Sequence, residues 1–125
     1  MNEFYLEATP KTPKLYFNRE SGEFEISGRS IPENSIEFYK PVISWLDSYI
    51  DNPNSNTLLV IKLEYFNTSS SKCLVEILRR LERLNGSHPV AVKWCYEEED
   101  EDMQESGEDF KEIIKLPIEM VAISD

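Results

Sequence analysis

Hydrophobic and polar residues follow two different periods along this chain, and the changes of period mark its elements. In "KLYFNRESGEFEISG", Leu15 and Phe17 alternate with polar residues on one arm, Phe24 and Ile26 on the other, with Glu-Ser-Gly between them. Period two around a glycine-containing turn predicts a β-hairpin, because successive strand side chains point to opposite faces. Ahead of it, Phe4–Thr9 predicts a short strand ended by the prolines of "TPKTP". After "SIPENS" the period lengthens. Ile36, Tyr39, Ile43, Leu46 and Ile50 recur every three or four residues, widened by Val42 and Trp45. That spacing predicts an amphipathic helix with Asn34 or Ser35 as its cap. Pro41 has no N–H to donate and pushes Lys40 away from helical angles, so a kink or a fresh helix start is expected there. "DNPNSN" closes the element.

Leu58–Phe66 is the most strand-like segment, apolar on both sides through "LLVI". This continuity predicts a central strand covered on both faces. A second helical stripe follows, Leu74, Ile77, Leu78, Leu81 and Leu84, opposed by Arg79, Arg80 and Arg83, predicting a helix over Ser70–Leu84 that stops at Asn85-Gly86. "PVAVKWCY" reads as a strand, Phe110–Lys115 as a short helix, and "IEMVAI" as a last strand. A hairpin followed by alternating helices and strands predicts an α/β fold: one mixed β-sheet with helices packed on it, in a single domain.

Charge changes this picture in one segment. The chain of 125 residues carries a formal charge of −11, but Glu97–Asp109 holds nine acids and no Lys or Arg, so the remainder is close to neutral. Like charges repel and few apolar residues there offset the ordering entropy, so a mobile acidic loop is expected over about 97–109. No basic stripe exists to release counterions from a phosphate backbone, which argues against a nucleic-acid partner. A bilayer span needs roughly 18 or more apolar residues in a row, and none is present. Met1-Asn2-Glu3 lacks the basic start and apolar core of a signal peptide, so a cytoplasmic location is expected. Cys73 and Cys95 fit buried thiols better than a disulfide framework.

Candidate chemistry is sparse. His88 sits beside Pro89 in a turn, and nothing in the sequence places it near either thiol, as a nucleophile–base pair would need. Cys73, His88 and Cys95 are too dispersed for a Cys/His metal site. A calcium loop over the acidic run fails as well: with Gly107 as its sixth residue, the twelfth is Ile113, which cannot coordinate. No cofactor motif occurs, and no catalytic role is expected.

One motif resists a purely structural account. "NTSSSK" places four hydroxyls, Thr68–Ser71, between the central strand and the second amphipathic helix. Asn67 or Thr68 would satisfy orphan amides at the helix start. Four hydroxyls exceed what one cap requires, and an exposed one at a helix N-terminus is well placed to carry a phosphate.

The stretches "FYLEATPKTPKLYFNRESGEFEISGRSIPENSIEFYKPVISWLDSYI" and "LEYFNTSSSKCLVEILRRLERL" resemble the SiaC family of bacterial regulatory phosphoproteins, in order and spacing, over nearly the whole chain. The "FNTSSSK" junction is the most specific match, and the acidic segment from Glu97 the least. The resemblance implies a STAS-like (anti-anti-sigma-like) domain without catalysis of its own. It implies reversible phosphorylation of the junction threonine, Thr68, by a dedicated kinase, and removal of the phosphate by a metal-dependent protein phosphatase. It also implies that the unmodified form binds and activates a diguanylate cyclase. Around the acceptor, Asn67 is expected to start the helix, Ser69 and Ser70 to serve in its cap or first turn, and Lys72, one turn along, to pair with the phosphate. Two other readings are an anti-anti-sigma-type protein that binds an anti-sigma factor kinase and a small hydrolase using the hydroxyl run.

Overall fold

The computed structural model describes residues 2–124. Six strands form one sheet in chain order: β1 (Glu3–Leu6), β2 (Lys14–Asn18), β3 (Glu23–Ser30), β4 (Thr57–Phe66), β5 (Val90–Glu97) and β6 (Ile118–Ile123). The first two pairings are antiparallel and the last three parallel. Helices α1 (Ser35–Asp51), α2 (Thr68–Glu82) and α3 (Glu101–Ile113) make the three parallel crossovers. The expected hairpin is β2–β3, with Leu15 opposite Ile26 and Phe17 opposite Phe24. Its turn needs a glycine: Gly22 has φ +74°, and a Cβ there would lie 2.1 Å from the Asn56 carbonyl oxygen.

Register explains which residues enter the core. One row across the sheet reads Phe4, Phe17, Phe24, Leu59, Val92 and Ile118. The neighbouring row reads Tyr5, Tyr16, Glu25, Val60, Lys93 and Glu119. All but the edge residue Phe4 of the first row are buried, whereas every residue of the second is partly or fully exposed. All three helices cover the first face. A strand buried on both faces was expected at β4; it is central, between two parallel neighbours, but Leu58 and Val60 lie half-buried on the open face beside exposed Lys62 and Glu64. Adjacent right-handed crossovers running in one direction put every helix on the same side.

Helix α1 is continuous through Pro41, contrary to the expected kink or restart. Asn34 caps it, its side chain accepting from the Glu37 amide at 3.1 Å. Pro41 lies on the solvent side, so the carbonyl it leaves without a donor can be hydrated, while Val42, Trp45, Leu46 and Tyr49 are buried. The buried stripe is turned from the one read in the sequence. Ile36 is 72% exposed.

The acidic segment is not a loop. Strand β5 runs to Glu97, and α3 extends from Glu101 through the short helix expected at Phe110. Asp100 caps it by accepting from the Met103 amide at 3.0 Å, and Glu101 and Asp102 sit in the first turn, where the helix dipole favours acids. Met103, Gly107 and Phe110, spaced four and three residues apart, form a narrow stripe buried against Trp94. The acids fill the opposite, hydrated side. Cys73 is buried and Cys95 half-buried; both are free thiols.

Candidate functional site

The hydroxyl run is the first turn of α2. Strand β4 ends at Phe66, and Asn67, in an extended conformation, turns the chain: its side-chain oxygen accepts from the Ser70 amide at 2.9 Å. Its own amide donates to the Ser30 carbonyl at 3.0 Å, tying the turn to the end of β3. Asn67 therefore starts the helix as expected, and Thr68 is its first residue.

Helical rotation separates the four hydroxyls into different surroundings. Ser70 is fully buried; it accepts from Ser30 Oγ at 2.8 Å and donates to the Ser30 carbonyl at 3.0 Å. Because Ser30 Oγ donates to Ser70, the Tyr39 hydroxyl, 2.6 Å away, must donate to Ser30. Ser35 adds a further hydroxyl, 3.1 Å from Ser70 and 2.8 Å from Ser69. Ser71 turns back and donates to the Thr68 carbonyl at 2.7 Å. The Thr68 hydroxyl is exposed and takes part in no hydrogen bond among the described residues. One hydroxyl of the four is free.

Two hollows meet at this turn. Between α1 and α2 lies a groove of about 730 Å³ whose walls include Ile36, Tyr39, Ile43, Ser69, Lys72 and Cys73. On the other side, a cleft of about 350 Å³ separates α2 from α3, with Thr68, Ser71 and Val75 facing Ser106, Asp109 and Ile113. Lys72 is exposed, lies one turn beyond Thr68 and Ser69, and joins no ion pair among the described residues. It shares the α1–α2 groove with Ser69 and is not among the residues lining the Thr68 cleft.

The titrating groups give the turn no nucleophile. Burial, and after it the nearby Glu76 carboxylate, push the Cys73 thiol above its ordinary range, so it stays protonated. Burial likewise drives the Tyr39 phenol up to about 12. His88 follows the C-terminal end of α2, the opposite end from Thr68, with its Nδ1 3.0 Å from Ser87 Oγ. No cluster of three or more His, Cys, Asp or Glu able to hold a metal occurs among the described residues. No helix among them is long and apolar enough to cross a membrane.

Sequence reasoning named Asn67, Thr68, Ser69, Ser70 and Lys72 as candidates but missed what stands around them. Ser30, Ser35 and Tyr39 arrive from β3 and α1, and Ser106 and Asp109 from α3, each more than 25 residues away. No local pattern could have assembled them.

A mixed six-stranded sheet with its helices on one face defines an α/β domain of STAS-like class. The chain belongs to the SiaC family of regulatory phosphoproteins, whose family model matches residues 6–123. It is 32% identical to an uncharacterized protein of Pseudomonas aeruginosa (strain UCBPP-PA14), over 98% of each chain. Its fold is similar to that of apo-SiaC from P. aeruginosa, with a TM-score of 0.88 and 31% identity, covering 98% of this chain and 100% of that one. It also matches a chain in the crystal structure of diguanylate cyclase SiaD in complex with its activator SiaC from P. aeruginosa. That match has a TM-score of 0.89 and 31% identity, covering 96% of this chain and 99% of the other.

Proposed function

We propose that this protein is a non-enzymatic switch that binds and activates a diguanylate cyclase when Thr68 is unmodified, and releases it when Thr68 is phosphorylated. The observation that carries the reading is the sorting of the hydroxyls: Thr68 is exposed and unbonded, whereas Ser69, Ser70 and Ser71 are each engaged by protein groups. Support for the cyclase comes from kinship with SiaC, the activator in the SiaD complex. A protein kinase would add the phosphate and a metal-dependent phosphatase remove it.

The physics of the place suits such a switch. A phosphate brings roughly 1.5 to 2 negative charges, and the free amides and dipole of the α2 N-terminus tolerate them in the isolated protein. Lys72, unpaired one turn away, supplies a nearby cation. A cyclase covering the first turn of α2 would instead have to bury an incompletely paired dianion. A 100-fold loss of affinity requires only about 2.7 kcal/mol, within the cost of such burial.

Mass spectrometry after treatment with the cognate kinase, combined with cyclase pull-down, tests the reading. Thr68→Ala should fold, take up no phosphate and hold the cyclase constitutively. Lys72→Ala should change the rate of phosphate addition or removal. Phosphate found on a serine, with Thr68 clean, would overturn the assignment. Capture of an anti-sigma factor in place of a cyclase would overturn the partner.

A further inference from the structure

We propose that α3 is the element that responds to phosphate on Thr68, and that Asp109 makes it respond. The inference rests on the reading of Thr68 as acceptor and adds a mechanical consequence to it. Thr68 and Asp109 line the same cleft between α2 and α3. Asp109 is the one charged residue in its lining, and no Lys or Arg contributes to it. Two other hydroxyls in that lining are already committed: Ser71 donates to the Thr68 carbonyl, and Ser106 donates to the Asp102 carbonyl at 3.0 Å. Lys111, the base nearest to Asp109 in sequence, is drawn to Glu108 at 3.8 Å. A phosphate entering this cleft therefore meets a carboxylate, whereas the unpaired cation Lys72 lines the α1–α2 groove on the other side of the turn.

One wall must yield, and the anchoring of the two helices decides which. The first turn of α2 is held by fully buried Ser70, by its bonds to Ser30, and by the Asn67 cap. The wall on the α3 side is held at only three buried residues, Met103, Gly107 and Phe110. Phe110 adjoins Asp109 in the chain and itself borders the cleft, with its ring 5.1 Å from Trp94 and 6.3 Å from Phe66. Repulsion on Asp109 thus acts directly on one of three attachments of a helix whose remaining surface is hydrated. Elements held by so few buried contacts open at low free-energy cost. Phosphate on Thr68 would loosen α3 from the sheet, changing the shape of the surface beside the acceptor as well as its charge.

Hydrogen exchange read by mass spectrometry tests this on the full chain, with phosphothreonine installed at position 68 by genetic encoding, so that no kinase is needed. Peptides over 101–113 should exchange roughly tenfold faster in the phosphorylated protein, which corresponds to about 1.4 kcal/mol of repulsion. Peptides over β4 should be unchanged. In Asp109→Asn the phosphate should produce a several-fold smaller acceleration, while the unphosphorylated variant matches the wild type. Equal exchange over α3 with and without phosphate overturns the proposal. So does an equal response in Asp109→Asn, or a loss of protection that includes β4, which would mean general destabilisation. Because the phosphate is placed directly, none of these outcomes depends on whether the kinase chooses Thr68.

Discussion

The indole N–H of Trp94 donates to the carbonyl of Met103 at 2.9 Å, and this bond joins the middle of the sheet to a helix made largely of acids. Trp94 is 1% exposed, so its N–H would be costly to leave unpaired. The same ring also closely approaches the backbone at Gly107. A Cβ on Gly107 would come within 2.5 Å of Trp94 Cδ1 and 2.6 Å of the Met120 methyl. Glycine is needed here for closeness, not for an unusual backbone angle.

Gly107→Ala should therefore destabilise the protein although alanine is the better helix former. Overpacking of this kind costs about 1–3 kcal/mol, against roughly 1 kcal/mol gained in helix propensity. A fall in Tm of several degrees is expected, with the loss of protection concentrated in α3. A Tm equal to or above that of the wild type would mean that Trp94 moves aside freely.

Ser70 and Ser69 differ by one position and should differ sharply in cost. Ser70→Ala removes the acceptor of Ser30 and a donor to its carbonyl in a buried site, which should cost about 1–3 kcal/mol. Ser69→Ala removes one part-buried contact to Ser35 at an exposed residue and should cost less, about 0.5 kcal/mol. Urea unfolding of the pair reads the difference. Equal midpoints would show that the buried network contributes nothing.

Asn67→Ala removes the side-chain oxygen that accepts the Ser70 amide and should cost about 1 kcal/mol. Asn67→Ser, which keeps a capping oxygen, should recover most of it. If serine does not rescue, the role of Asn67 lies in its wider contacts and not in the cap.

Alkaline pH should weaken the fold through Tyr39. Its phenol is raised from 10.0 to about 12 by burial, so the folded protein holds the proton more tightly than the unfolded chain. The stability linked to this proton is complete below pH 10 and is lost as pH rises from 10 towards 12, a loss of roughly 2–3 kcal/mol. Tyr39→Phe should be less stable at neutral pH, because Ser30 loses its donor, yet should lose less between pH 10 and 12. Denaturation midpoints at pH 8 and pH 11 for both proteins check the sign. A steeper alkaline loss in the phenylalanine variant would contradict it.

The sequence by itself determined the order of the elements and narrowed the caps of α1 and α2 to two residues each. Period-two alternation in β2 and β3, the glycine turn between them, the leucine stripe of α2 and Asn67 at its head are interactions within a few residues, and short-range patterns record them. Tertiary structure alone decided three things. β4 is apolar on both sides in sequence, and only the handedness of successive crossovers leaves its second face open. The acids of 97–109 repel as a loop, and only a stripe of three residues meeting Trp94 and Phe66 from other strands holds them as a helix. Four adjacent hydroxyls look alike in sequence; Ser30 from β3 and Ser35 from α1 take up Ser70 and Ser69, and the helix turn takes up Ser71. The reason is common to all three. Burial depends on which distant segments close over a residue, and no window of sequence contains both partners.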